Sequence, residues 1–91
     1  MSDNRLSRVL ALLQAEKAIE AQQLFNEIEP VETIEFYMVQ GSIEKKFQNW
    51  GKAVNAFSKV LDIEPGNAEA RLNLNLIQSI LNFWNPEMFN P

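Results

Sequence analysis

Apolar residues recur along this chain at intervals of three and four, and proline, glycine and asparagine cut the pattern into five segments. The first, about Asp3 to Ala15, carries Leu6, Val9, Leu10 and Leu13 on one stripe, with Ser2 or Asp3 placed to cap it. The second, about Lys17 to Glu29, carries Ile19, Leu24, Phe25 and Ile28; Pro30 closes it, since proline cannot continue a helix. The third, about Thr33 to Phe47, carries Ile34, Phe36, Tyr37, Val39, Ile43 and Phe47. A turn over Gln48, Asn49, Trp50 and Gly51 leads to the fourth, about Gly51 to Ile63, with Val54, Phe57, Val60 and Leu61. Glu64-Pro65-Gly66-Asn67 then combines a stop with a helix cap, and the fifth segment runs from about Ala68 to Trp84. Leu72-Asn73-Leu74-Asn75-Leu76 alternates like a strand, but Ala68, Ala70, Ile77, Ile80 and Leu81 around it keep the helical spacing. The pattern predicts an all-α chain of five helices. Pro86 and Pro91 mark residues 85–91 as a non-helical tail.

Two of these segments echo each other. Ala18-Ile-Glu-Ala-Gln-Gln-Leu-Phe25 through Ile28-Glu29-Pro30 aligns with Ala53-Val-Asn-Ala-Phe-Ser-Lys-Val60 through Ile63-Glu64-Pro65. A third opening, Ala68-Glu-Ala-Arg-Leu, follows the second proline. Within the middle unit an aromatic, Tyr37, is followed by Gly41, then Ala53, Phe57 and Pro65 at spacings of four, twelve, four and eight. A small residue on each of two helices lets them approach closely, and a ring nearby fills the space left over.

Those five residues at that spacing resemble the tetratricopeptide repeat, a helix–turn–helix unit of about 34 residues. The resemblance implies antiparallel helical hairpins stacked as a short right-handed superhelix. Repeats fall at about 1–31 and 32–66, a capping helix at 67–84 and an aromatic tail at 85–91. The first repeat departs from the pattern: Arg5 and Leu6 stand where Leu-Gly is expected, and Gln22 replaces the bulky aromatic. The third has no second helix, with Arg71 and Asn75 at its aromatic and glycine places.

A repeat of this kind leaves one surface for another polypeptide. In the family the first helices of successive repeats line a concave groove that holds a peptide. Carried over, the middle repeat offers Glu35, Met38, Ser42 and Lys45, and the third offers Glu69, Leu72, Leu76 and Ile80. Some relatives clamp a C-terminal carboxylate with basic groove residues. Asp3, Ser7, Leu72 and Leu76 hold the corresponding places here, which argues against that mode.

The fifth helix can be divided independently at about 100° per residue. Ala70, Leu74, Ile77, Leu81 and Trp84 form a stripe suited to packing on the preceding hairpin, while Arg71, Asn75, Gln78 and Asn82 make a solubilising face. Leu72, Leu76, Ile80 and Phe83 form a second apolar stripe. It is either core in a more compact packing or a contact surface. As a contact surface it could be covered by the tail with Met88 and Phe89, by a second copy of the chain, or by a foreign peptide with Met38 as an adaptable wall. Trp50, at a turn, reads as packing across the joint. Lys45 and Lys46 read as a solvated helix end favoured by the helix dipole. The candidate partner-binding residues are therefore Met38, Ser42, Lys45, Leu72, Leu76, Ile80, Phe83 and Trp84.

Composition narrows the functional classes. The 91 residues are 46% apolar with only 3 Gly and 4 Pro, as in one small globular domain. A net charge of −4 argues against nucleic acid, whose phosphates need clustered Lys and Arg. Neither histidine nor cysteine occurs, which removes the commonest general base, thiolate nucleophiles and the usual metal ligands. Glu27, Glu29, Glu32 and Glu35 are better explained as capping and surface charge than as a cation site. With no phosphate loop and no nucleophile–base pair, no catalytic residue, metal or cofactor is expected. No apolar run is long enough to span a membrane and the start is polar, so the default location is cytoplasmic. The expected role is a non-enzymatic adaptor or scaffold holding a peptide or protein. The alternative is a homodimerising assembly module built on the fifth helix and tail.

Overall fold

The computed structural model describes residues 4–84. They are all-α: α1 spans Asn4–Gln14, α2 Ala18–Asn26, α3 Ile34–Lys46, α4 Trp50–Ile63 and α5 Ala68–Trp84, with no strand among the described residues. Helices α1 and α2 form one hairpin, α3 and α4 a second and more extensively packed one, and α5 lies on α4. Helix α3 also touches α1 and α2, so every substantial contact joins helices no more than two apart in the chain. The outline is accordingly elongated, 48 × 28 × 18 Å.

Both hairpin turns use the same backbone device. Gln14 ends α1, Glu16 adopts φ 62°, and Lys17 N–H donates to Leu12 O while Glu16 N–H donates to Leu13 O. At the end of α3, Gln48 adopts φ 61°, with Asn49 N–H on Glu44 O and Gln48 N–H on Lys45 O. The paired bonds satisfy carbonyls that a helix end would leave bare, and the left-handed residue reverses the chain. The starts of α3 and α5 are capped by side chains: Thr33 Oγ1 accepts from Phe36 N–H at 3.1 Å, and Asn67 Oδ1 from Ala70 N–H at 2.8 Å.

Helix α2 stops at Asn26, three residues short of the expected end. Glu27 N–H turns back to Leu24 O and Phe25 O, and Ile28 N–H bonds Phe25 O, tightening the last turn. Pro30 disfavours helical geometry at Glu29, and Ile28 leaves the helix yet remains buried in the core. Helix α4 begins one residue earlier than its periodicity suggested, because Trp50 is its first residue rather than part of the turn. The expected cap at Ser2 or Asp3 and the tail at 85–91 lie outside the described residues.

One continuous core runs through all five helices: Leu6 and Val9 of α1, Ala21 and Phe25 of α2, Val39 and Ile43 of α3, Phe57 and Val60 of α4, Ala70 and Ile77 of α5. The Phe25 and Phe36 rings lie 4.8 Å apart and join the hairpins, and Tyr37 meets Phe36 edge-on at 5.9 Å. Gly41 lies directly under the Phe57 ring. A Cβ there would fall 2.7 Å from two ring carbons, so only a hydrogen fits between α3 and α4 at that point. Ala53 is fully buried, as expected of the small residue on α4. Ile19 does not join the α1–α2 stripe: it is exposed, and Ala21 takes the inward place. No polar or charged side chain is buried among the described residues.

Candidate functional site

Of the four groove-facing residues predicted on α3, Glu35 is exposed and the other three meet different fates. Met38 is half-buried against the core. Ser42 donates its hydroxyl to Met38 O, one turn earlier, at 2.9 Å, so it is committed to its own helix. Lys45 is tied across the fold: its Nζ donates to Asn73 Oδ1 of α5 at 2.6 Å. Asn73 in turn donates its Nδ2 to Glu69 O at 2.9 Å, which fixes the amide for Lys45. That bridge brings the Lys45 end of α3 within side-chain reach of the face of α5 that carries Asn73.

Next to Asn73 on α5 stand the leucines of the second stripe. Leu72 is 69% exposed and Leu76 48%; Phe83 is also exposed, and Ile80 is half-buried. The other stripe faces inward as its spacing required, with Ala70 and Ile77 fully buried and Leu74 and Leu81 packed on the core. The compact-core alternative for the second stripe is thereby overturned for Leu72 and Leu76. Helix α5 gives one apolar face to α4 and shows another to solvent. The Trp84 side chain, and Met88 and Phe89, lie outside the described residues.

Lys46 extends the other way from Lys45. Its ammonium meets Glu16 at 2.8 Å, tying the end of α3 to the α1–α2 turn. The pair read from sequence as a solvated helix end is thus two cross-links, one backward and one forward. Trp50 is half-buried against the core, in keeping with packing across the joint.

The far side of α3 carries a surface that periodicity did not single out. A depression of about 390 Å³ is floored by Phe25, Ile28, Phe36 and Tyr37 and edged by Val31 and Glu32. A second, of about 340 Å³, is lined by Glu32, Tyr37, Lys59, Asp62 and Ile63. Tyr37 and Lys59 belong to both, and the Lys59 ammonium sits 5.2 Å from the centre of the Tyr37 ring. The sequence signal for this surface is the acidic run Glu27 to Glu35, which on periodicity alone reads as capping and surface charge. Among the described residues no group of His, Cys, Asp or Glu is arranged to hold a metal ion, and no helix is long and apolar enough to cross a membrane.

Comparison with protein-family models, curated proteins and solved structures finds no match for this chain.

Proposed function

We propose that this chain is a tetratricopeptide-repeat-like adaptor of the cytoplasm, whose hairpins stack with a right-handed twist and whose α3–α5 edge holds a peptide segment of a partner protein. The observation that carries the reading is the exposure of Leu72 and Leu76 on a helix whose opposite stripe is fully packed. Apolar side chains presented in a row on a rigid, internally bonded helix suit partner contact better than solvation. Met38 supplies a polarisable wall, and the Lys45–Asn73 bond supplies a fixed polar point between the two helices. Ser42 contributes shape rather than a free hydroxyl, since its proton is already donated. The spacing of Tyr37, Gly41, Ala53, Phe57 and Pro65 supports the repeat assignment, and neighbour-to-neighbour packing with an elongated outline is what an open stack requires.

Panning a random peptide library against the protein, with counter-selection on a Leu72→Glu/Leu76→Glu variant, tests the adaptor reading. The wild type should enrich apolar or amphipathic sequences that the variant does not retain. Enrichment of the same sequences by both proteins would remove the α5 face from the reading. The same exposed stripe also favours a second reading, self-association through α5. Light scattering separates the two: a mass of one chain at low micromolar concentration supports the adaptor, and twice that mass, abolished by Leu76→Glu, supports the dimer.

A further inference from the structure

We propose that the paired depressions on the far side of α3 form a second docking surface, for a short extended segment of a partner that combines lysine or arginine with apolar side chains. This surface is separate from the α3–α5 edge. At about 100° per residue, Gln40 lies about 140–160° from Met38, Ser42 and Lys45, and Tyr37 lies on the flank between, about 80–140° from them. The two depressions share a wall and together make a trough with an aromatic floor.

Two features of the trough specify the occupant. The first is apolar surface left in water at its rim: Val31 is 46% exposed and Ile63 47%, beside a floor of Phe25, Ile28 and Tyr37. The second is charge. Glu32 and Asp62 line the trough, and neither carboxylate makes an ion pair or hydrogen bond among the described residues. Glu27, Glu29 and Glu64 belong to the loops at the same end of the hairpins, where the cations are Lys59, held over Tyr37, and Arg5 and Arg71 at the starts of α1 and α5. Lys17, Lys45, Lys46 and Lys52 lie at the other end of the hairpins, where Lys46 pairs with Glu16. The lining itself carries two carboxylates against one ammonium, so the trough is net negative. A cationic segment is drawn to it and an anionic one repelled, while apolar side chains of the same segment cover Val31 and Ile63.

The probe is a fluorescein-labelled hexapeptide alternating lysine with leucine and phenylalanine, with a twin carrying glutamate in place of lysine. Binding is followed by fluorescence anisotropy and located by backbone amide NMR shifts on the intact chain. The lysine peptide should bind saturably, shift the amides of Val31, Glu32 and Lys59 to Ile63, and weaken as salt is raised. The Glu32→Lys/Asp62→Lys variant should lose at least about tenfold in affinity. Leu76→Glu should bind as the wild type does, which keeps this surface distinct from the proposed groove. If charge reversal unfolds the chain, Glu32→Gln/Asp62→Asn serves instead, with a smaller loss in the same direction. No saturable binding, equal binding of the glutamate twin, or shifts centred on Leu72 and Leu76 would each overturn the proposal.

Discussion

Gly41→Ala adds one methyl group at the tightest point of the fold, and the structure sets what that methyl must displace. Its carbon would lie 2.7 Å from Phe57 Cε1 and Cζ and 2.9 Å from Cε2, where ordinary contact begins at 3.4 Å. Three carbons of one ring lie close to it, so the ring must retreat as a body, by about 0.7 Å at the nearest atoms. Phe57 is fully buried, with Val39, Val60 and other core side chains filling the same interior, so it has no free space to retreat into. Overpacking of this kind costs about 1–3 kcal/mol. Against it stands the gain from replacing a helical glycine by alanine, about 0.5–1 kcal/mol. The net loss lies between about 0 and 2.5 kcal/mol, and its midpoint of about 1.2 kcal/mol lowers Tm by about 5–10 °C for a domain of this size. Gly51→Ala is the matched control: the same atoms are added within α4, nothing lies within 4 Å of the new methyl, and Tm should hold or rise. Thermal melts by circular dichroism measure both. Adding Phe57→Leu to Gly41→Ala should make the double variant less destabilised than the two singles added together, by about 0.5 kcal/mol or more. A Gly41→Ala protein more stable than the wild type, or strict additivity with Phe57→Leu, would refute close approach of α3 and α4 at this point.

Other perturbations test the remaining links. Ala53→Leu forces a larger side chain into a fully buried place on α4 and should cost roughly 1–3 kcal/mol by chemical denaturation. Asn67→Ala removes the acceptor for Ala70 N–H and should destabilise by about 1 kcal/mol, with amide exchange rising at the start of α5. Lys46→Ala breaks a pair whose side chains are 41% and 75% exposed, so the loss should be a few tenths of a kcal/mol at most and should vanish in high salt. Gln48→Gly relieves a left-handed backbone at no packing cost and should stabilise by about 0.5–1 kcal/mol; a loss would mean the Gln48 side chain contributes more than its strain.

Helix number, order and facing were legible because burial at a period of about 3.6 leaves a direct mark on sequence. Ala70, Ile77 and Phe57 turned inward where their stripes put them, whereas the stripe of Leu72 and Leu76 reads as either core or surface, and its exposure in the fold decides between them. The end of α2 was not legible, because Pro30 marks where a helix cannot continue rather than where it stops. The decision was made earlier, by carbonyls of Leu24 and Phe25 accepting local bonds. The reversals at Glu16 and Gln48 carried no glycine to announce them. Partners of exposed polar side chains were illegible for a simpler reason: Lys45 and Asn73 are 28 positions apart, and no periodicity relates one helix's lysine to another helix's amide. The trough beside Tyr37 was hidden likewise, since it is assembled from the α2–α3 loop and the end of α4.

Adjacent lysines at the end of α3 reach in opposite directions, Lys46 to the first hairpin and Lys45 to the last helix. Three units are thereby laced at one margin, like the ribs of a fan at its rivet. The opposite margin, where α3 begins and α4 ends, is joined by rings instead, Phe25 against Phe36, and by Lys59 over Tyr37. Loss of either lysine would therefore loosen one seam and spare the other, so the first hairpin and the last helix can each be released from α3 by a separate single change.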